Sequence, residues 1–361
     1  MSCLIPALDE AFDHVLVHSR QHFSPEMSED FFTELELPRP DHVLDVSEPT
    51  PARQLAAIIA SVDDLIRTLH PRLLIVQGDT NTTLAGSLAA SLHKKSGLRL
   101  VHVEAGARSH LPFQPEELNR RAVDQLSDLL LAAYPAEREN LLREGIPGDR
   151  IAVVGSTVVA ACLRMRGLID GESTSVPALS GLDGQYVVAT IHRQETVDAP
   201  ESLRSVWAAL ENLAREIPVL LPLHPRTGKR LEEFGLDMKG TKLLLTGPLG
   251  YRQMISVLRG ARFCLTDSGG LQEECGILGV PALVLRESTE HRRYVESGMH
   301  QLVGTDEQTI SRAARNLLTD QNFYEQRRRA RVGHDADTTT RIVTEIRNLL
   351  SHSHTPPSHP T

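Results

Sequence analysis

The sequence contains no long apolar run and no excess of positive charge. None of its apolar stretches approaches the about 18 residues that a helix needs to cross a bilayer. Its start, MSCLIPALDE, lacks the basic region and apolar stretch of a secretory signal. The formal net charge of −9 argues against a general nucleic-acid-binding protein, which normally presents a basic face. We therefore expect neither a membrane nor a nucleic acid as a partner.

Cysteine is scarce, and no C-x-x-C pair occurs. The four cysteines are Cys3, Cys162, Cys264 and Cys275. Most of them stand among apolar residues, where a reduced thiol packs as a small hydrophobic group. A reducing, cytoplasmic compartment is the expectation.

What the sequence does contain is an alternation of short β-branched runs with longer amphipathic stretches. The predicted strands are His14–His18, Leu73–Gln77, Leu100–Val103, Ile151–Val154, Val187–Ile191, Val219–Pro222, Lys242–Thr246, Phe263–Thr266 and Ala282–Leu285. The predicted helices are Pro51–Leu69, Leu84–Leu92, Leu118–Leu131, Leu203–Glu216 and Arg252–Arg259. Strands that are apolar on both faces and separated by helices indicate parallel sheets covered on both sides. The pattern predicts an α/β, doubly wound architecture.

The predicted domain boundary is Arg166–Gly184, which is rich in Gly, Ser, Thr and Pro and has no helical periodicity. We expect one Rossmann-like domain over residues 4–166 and a second over 184–337. Thr338–Leu350 predicts a closing helix that packs against either domain. Residues 351–361 are polar and proline-rich, and are expected to be a disordered tail.

Acidic residues follow the predicted strands of the first half, where open parallel sheets bind ligands. Asp79 follows Leu73–Gln77, and is either a helix cap or a site residue. Glu104 ends a buried strand, where an ionised carboxylate requires partners. Glu116 lies in the first turn of the next helix, where the helix dipole favours negative charge. We expect the three groups to converge on one cleft, where their different environments would divide acid and base roles between them.

Basic residues follow the strands of the second half. His192 and Arg193 come directly after Val187–Ile191, and His224 ends the next run with Arg226 two residues on. Two histidines at successive strand ends, each with an arginine nearby, indicate recognition of an anionic group.

The sharpest local motif is Ser268-Gly269-Gly270, where a predicted strand ends and a helix begins. Glycine permits a close backbone approach, and free N–H groups at a helix start bind phosphate. Glu274 lies one turn into that helix and is placed to accept bonds from ribose hydroxyls. An ordinary βα turn is the alternative.

These segments, in this order, resemble the non-hydrolysing UDP-N-acetylglucosamine 2-epimerases. The similarity runs from about residue 4 to residue 304 and includes VQGDTNTTLAGSLAA, HVEAGARS, PEELNR, HRQET, LHPRT, LTDSGGLQEE, LGVPALVLRESTE and ESGMHQLVG.

The resemblance implies a glycosyltransferase-B-like fold, in which two Rossmann-like domains enclose a cleft, with no metal and no nicotinamide cofactor. It implies removal of the proton on the sugar's second carbon, elimination of UDP, and re-addition to the glycal intermediate. The implied catalytic residues are Asp79, Glu104, Glu116 and His192. The implied substrate-binding residues are Arg193, His224, Met254, Ser268, Gly269, Gly270, Glu274 and His291.

The sequence also departs from the family pattern. The family opens with a strand ending in Gly-Thr-Arg-Pro-Glu, and this chain begins after that point, so a central strand and two substrate-contacting cations are expected to be missing. A start site placed too late in the gene is the favoured explanation, and a truncated or repurposed protein is the alternative. Thr196, Met254 and His291 replace the family's usual asparagine, phenylalanine and arginine.

Three other functions remain open at this point. They are a hydrolysing 2-epimerase, a glycosyltransferase of the same fold, and a UDP-sugar-binding protein without turnover. The expected partners are a UDP-sugar substrate and UDP. The resemblance also implies a homodimer and a second nucleotide-sugar molecule that activates the enzyme.

Overall fold

The computed structural model describes residues 1–20, 32–46, 48, 50–109, 114–170, 176–182, 185–289, 291–330, 332–333 and 337–351. The chain divides into two units, residues 1–161 with 335–361, and residues 162–334. The predicted boundary, Arg166–Gly184, begins shortly after this division and includes residues outside the described ranges. The predicted tail lies outside the described residues after Ser351, which is the last residue of the closing helix.

The first unit contains a four-stranded parallel sheet and a separate parallel pair of short strands. The strands are β1 (Val17–His18), β2 (His42–Val43), β3 (Leu73–Gln77), β4 (Arg99–Val103), β5 (Leu129–Ala132) and β6 (Ile151–Val153). The helices are α1 (Leu4–Ala11), α2 (Pro51–Leu69), α3 (Asn81–Leu92), α4 (Pro115–Leu126), α5 (Pro135–Arg143), α6 (Thr157–Ile169), which crosses the division, and α15 (Thr338–Ser351). Strands β3 to β6 lie side by side in chain order, while β1 pairs with β2.

Strand β3 is an edge of the four-stranded sheet in the part of the chain that the structure describes. Its side chains are mostly half-buried, whereas β4 is buried from Leu100 to Val103. Val17 and Val43, on β1 and β2, are 37% and 44% exposed. The missing central strand stays a prediction.

The closing helix belongs to the first unit. Ile342 and Ile346 of α15 are fully buried in a cluster with Leu4 and Leu8 of α1 and with the apolar side chains of β4 and β5. This packing removes the apolar stripe of α15 from water, which is the main stabilising term for an amphipathic helix.

The second unit contains a six-stranded, all-parallel sheet. Its strands are β7 (Val187–Thr190), β8 (Val219–Pro222), β9 (Leu244–Thr246), β10 (Cys264–Thr266), β11 (Ala282–Val284) and β12 (His300–Leu302). Its helices are α7 (Gln194–Val197), α8 (Pro200–Leu213), α9 (Pro225–Glu233), α10 (Tyr251–Gly260), α11 (Gly269–Leu278), α12 (Arg292–Glu296), α13 (Glu307–Thr319) and α14 (Gln321–Arg329). The order β12-β11-β10-β7-β8-β9 is the Rossmann order, and the strand order reverses between β7 and β10.

Both faces of this sheet are buried, as the sequence predicts. Val187 and Ala189 of β7 face a cluster that includes Trp207, while Val188 faces a second cluster. The α/β class with parallel sheets is therefore confirmed. The cleft between the domains stays a prediction. Within the described ranges, no helix combines the length and apolar character needed to span a membrane.

One predicted helix is wrong over its last turn. Helix α4 ends at Leu126, and Leu129–Ala132 is strand β5 rather than part of a helix over Leu118–Leu131. The four side chains of β5 are buried on both faces, and such a continuous apolar run has no periodicity that distinguishes a strand from a buried helix. Strands β2 and β12 were not predicted.

Candidate functional site

Asp79 and Glu104 lie at the same edge of the first unit's sheet. They follow β3 and β4, which pair in parallel with Gln77 opposite Val103. A Cβ atom placed on Gly78 would lie 3.7 Å from Glu104 Oε2. We call Asp79 and Glu104 the acidic edge.

The side chain of Asp79 is not a helix cap. Thr80 caps α3, because its hydroxyl accepts the N–H of Thr83 at 3.3 Å. The Asp79 carboxylate instead accepts a hydrogen bond from the Arg120 guanidinium, and Asn119 Nδ2 donates to the Asp79 carbonyl at 2.8 Å. Two residues of α4 therefore hold Asp79, and the capping alternative is wrong.

Glu104 has an unusual backbone conformation. Its φ is 66°, in the left-handed region that costs a non-glycine residue roughly 1–2 kcal/mol. Its carboxylate accepts hydrogen bonds from Gln77 Nε2 at 2.6 Å and from the Thr157 hydroxyl. Strain that neighbouring groups maintain at a strand end is typical of a functional position.

Glu116 is not brought into the acidic edge. It is exposed in the first turn of α4, where the sequence predicts it, whereas the adjacent Glu117 is 1% exposed. Glu117 accepts the N–H of Ser109 at 2.9 Å and contacts Arg120 at 3.4 Å, so that Arg120 bridges Glu117 and Asp79. Burial is the largest influence on the pKa of Glu117 and raises it, but Ser109 and Arg121 together bring this pKa below its usual value.

His192 lies where the strand order of the second sheet reverses. Its Nδ1 is 3.3 Å from Oδ1 of Asp267, a fully buried carboxylate that also accepts the backbone N–H groups of His192 and Arg193. The His192 and His224 rings are 5.9 Å apart. Partial desolvation, followed by the nearby His192 and Arg226, lowers the pKa of His224. Asp267 is thus a further site residue, and nothing in its local sequence indicates a partnership with His192.

The Ser268-Gly269-Gly270 motif forms the start of α11. Ser268 is the N-cap, with its hydroxyl accepting the Leu271 N–H at 3.4 Å, and the helix begins at Gly269. A Cβ atom placed on Gly270 would meet nothing within 4 Å. The helix start is therefore open beside Gly270, which is exposed, and N–H groups at a helix start are typical anion ligands.

Glu274 is a buried carboxyl in the same helix. It is 7% exposed, and burial raises its pKa to about 7, against a hydrogen bond with Tyr251 that lowers it. The neighbouring Glu273 adds to the increase. The folded state thus favours the protonated form of Glu274 over the pH range between 4.5 and 7.

Glu274 predicts a pH dependence of stability. Because its pKa is raised on folding, its contribution to the free energy of unfolding is complete below the unfolded value of 4.5 and is lost as the pH rises through about 7. We expect a loss of up to about 3 kcal/mol between pH 4.5 and 8 that Glu274→Gln does not show. Urea unfolding, followed by the fluorescence of Trp207 in the core of the second unit, measures it. Equal pH dependence in both proteins would contradict this assignment.

The remaining predicted substrate-binding residues lie in the second unit. Arg193 Nη1 is 3.4 Å from Glu195, and Met254 of α10 packs against the apolar cluster on one sheet face. The His291 N–H donates to the Thr289 hydroxyl at 3.1 Å. Within the described ranges, no three His, Cys, Asp or Glu side chains are arranged to hold a metal ion.

Comparison with known proteins gives consistent matches over most of the chain. A family model described as UDP-N-acetylglucosamine 2-epimerase matches residues 7–347. The UDP-N-acetylglucosamine 2-epimerase of Methanocaldococcus jannaschii is 36% identical over 327 residues, covering 88% of this chain and 88% of the relative. The UDP-2,3-diacetamido-2,3-dideoxy-D-glucuronate 2-epimerase of Pseudomonas aeruginosa is 36% identical over 312 residues, covering 86% and 85%. A crystal structure of the Methanocaldococcus jannaschii enzyme with UDP-GlcNAc and UDP has a TM-score of 0.79 and 34% identity, covering 96% of this chain and 95% of that chain.

Proposed function

This chain belongs to the UDP-N-acetylglucosamine 2-epimerase family, and we propose that it inverts the second carbon of UDP-N-acetylglucosamine or a related UDP-2-acetamido sugar. A base takes the proton from that carbon, the bond between the first carbon and the diphosphate breaks, and its electron pair leaves with UDP. UDP then re-adds to the resulting glycal, and a proton returns to the opposite face of the second carbon.

The observation that carries the proposal is the acidic edge. The reaction requires proton transfer at carbon, and the carboxylates of Asp79 and Glu104 follow adjacent strands, with the Arg120 guanidinium and the Gln77 amide holding them. Fixed orientation reduces the entropy cost of reaching the transition state. We assign these two carboxylates to the proton transfers at the second carbon.

His192 is our candidate for the group that protonates the leaving diphosphate. Its contact with Asp267 directs Nδ1 to that carboxylate and turns Nε2 away from it. A carboxylate behind an imidazole sets the tautomer and the orientation of the ring. The arrangement supports a role for His192 as a general acid.

We assign UDP to the second unit's helix start. The N–H groups following Ser268 would bind the diphosphate, Arg193 and His224 would add positive charge, and Glu274 would accept bonds from the ribose. Position at the reversal of strand order, where Rossmann-type sheets bind nucleotides, supports this assignment. Met254 and His291 are also proposed to contact the substrate, because they stand at family positions that do so.

The identity of the sugar remains open within this class. The Pseudomonas aeruginosa relative is named for a diacetamido uronate, and the relative from Methanocaldococcus jannaschii for N-acetylglucosamine. We propose both as candidate substrates. The homodimer, the activating second nucleotide sugar and the cytoplasmic location stay predictions.

Product analysis tests the proposed function. The protein is incubated with each UDP-sugar, and the products are separated by anion exchange and identified by NMR. We expect the product to be the 2-epimer of the nucleotide sugar. The UDP should remain attached to the sugar, so that no free UDP accumulates. Release of free UDP with a free 2-acetamido sugar would instead identify the hydrolysing reaction, and no conversion of either sugar would contradict the proposal.

A further inference from the structure

A buried histidine lies directly beneath the acidic edge. His102, in β4, is 0% exposed, and so is its partner Asp124 in α4. His102 Nδ1 is 2.6 Å from Asp124 Oδ1, and Nε2 is 2.9 Å from the carbonyl oxygen of Gly78. The two ring nitrogens thus face the Asp124 carboxylate and the Gly78 carbonyl, and the ring links α4 to the turn that carries Asp79.

Asp124 connects the same histidine to the turn after Glu104. Its Oδ2 accepts the backbone N–H of Gly106 at 3.3 Å and a guanidinium N–H of Arg108 at 2.7 Å. Arg108 is itself almost fully buried and pairs with Glu144 at 2.6 Å. One carboxylate therefore joins the two turns on either side of the acidic edge.

Each of these turns contains a glycine in the left-handed region: Gly78, with φ of 75°, precedes Asp79, and Gly106, with φ of 83°, lies two residues after Glu104. Glycine has more backbone freedom than other residues, and hydrogen bonds to neighbouring groups restrict it in these turns. The bonds from His102 and Asp124 fix the Gly78 carbonyl and the Gly106 N–H in place.

We infer that His102 and Asp124 are positioning residues that hold Asp79 and Glu104 in register for proton transfer. The inference rests on the proposed function, since it assigns these two residues to the same reaction. Neither His102 nor Asp124 reaches the surface, so they act through the Gly78 and Gly106 backbone and not by touching the sugar.

Two substitutions of His102 separate this role from general stability. The amide nitrogen of glutamine takes approximately the place of Nε2, and that of asparagine the place of Nδ1. His102→Gln therefore keeps a donor for the Gly78 carbonyl, and His102→Asn keeps only the contact with Asp124. We expect His102→Asn to lower kcat by between about tenfold and hundredfold, with KM and UDP affinity little changed. His102→Gln should retain most of the wild-type kcat.

Asp128→Asn is the matched control. Asp128 accepts the N–H of Leu100 at 2.8 Å, at the opposite end of the strand that contains His102. Asparagine keeps an oxygen for that N–H but removes the carboxylate that pairs with Lys94 at 3.1 Å, which should destabilise the first unit and leave kcat near the wild-type value. Equal kcat in His102→Asn and wild type, or a loss in Asp128→Asn as large as in His102→Asn, would overturn the positioning role.

Hydrogen exchange measured by mass spectrometry gives a readout that does not depend on turnover. In His102→Asn, the peptide containing Gly78 and Asp79 should exchange about tenfold faster than in wild type, and in Asp128→Asn it should not. An unchanged exchange rate of this peptide in His102→Asn would overturn the claim that His102 holds the turn at Gly78. If the wild-type protein converts no UDP-acetamido sugar, the proposed function fails, and the exchange experiment alone still decides whether His102 holds this turn.

Discussion

Replacing Asp79 by Asn, Glu104 by Gln or His192 by Asn is expected to lower kcat by about 100- to 10,000-fold in each case, the usual contribution of a general acid or base. Each change removes an ionisable group and preserves the approximate shape of the side chain. Because we assign UDP to the helix start at Ser268, its affinity should fall far less. Turnover assays and UDP titration by calorimetry give the two quantities.

Glu139→Gln is a suitable control, because the Glu139 side chain is 63% exposed on α5 and pairs with Arg138 at 3.7 Å. It should retain wild-type turnover. Glu116→Gln tests the remaining catalytic candidate, whose side chain is exposed in this structure. Wild-type kcat in both Asp79→Asn and Glu104→Gln would remove the acidic edge from the mechanism.

Replacing Gly270 by leucine is expected to weaken UDP binding by about 1–3 kcal/mol, the scale of a lost buried hydrogen bond plus steric strain. A Cβ atom at Gly270 would meet nothing within 4 Å, and Gly270 is exposed, so the chain leaves room where the new side chain begins. The leucine side chain should therefore weaken the binding of a ligand at the helix start, and not the stability of the fold. Calorimetry with UDP measures it.

Gly167→Leu controls for the effect of adding a side chain to a helix. Gly167 lies in α6, its Cβ position also meets nothing within 4 Å, and it is exposed. Its replacement should leave UDP affinity unchanged. An unchanged affinity in Gly270→Leu would move the diphosphate away from Ser268-Gly269-Gly270.

The acidic edge could be predicted from the sequence because it depends on strand ends. Asp79 and Glu104 follow two apolar runs, and neighbouring parallel strands bring their carboxyl ends to one edge. The same reasoning brought His192 and Ser268 to the ends of β7 and β10, which are also neighbours. To predict these positions, it is enough to know where each apolar run ends and that the strands are parallel.

The groups that hold the acidic edge could not be predicted in this way. His102 alternates with apolar residues inside β4, and Asp124 is 22 residues further along the chain, within a helix. Their contact depends on how α4 packs against the sheet, which no local pattern encodes. Arg120, which pairs with Asp79, is the last residue of the PEELNR segment, but nothing in that segment identifies its partner.

The error at β5 has a related cause. The stretch from Leu118 to Leu131 contains no glycine or proline, the residues that usually mark a break between two elements. In the structure, Ser127 has extended backbone and ends α4, and the Asp128 N–H donates to the Leu100 carbonyl at 2.8 Å. The strand therefore begins because of a pairing with β4, a tertiary interaction.

Exchange of the proton on the sugar's second carbon is the measurement that tests the central claim most directly. UDP-N-acetylglucosamine, or the diacetamido uronate if that is the substrate converted, is incubated with the protein in deuterated water, and the recovered nucleotide sugars are analysed by NMR and mass spectrometry. The account predicts one deuterium at the second carbon of the product, with Asp79→Asn and Glu104→Gln incorporating it far more slowly. Brisk turnover that leaves the original proton on that carbon would contradict the mechanism.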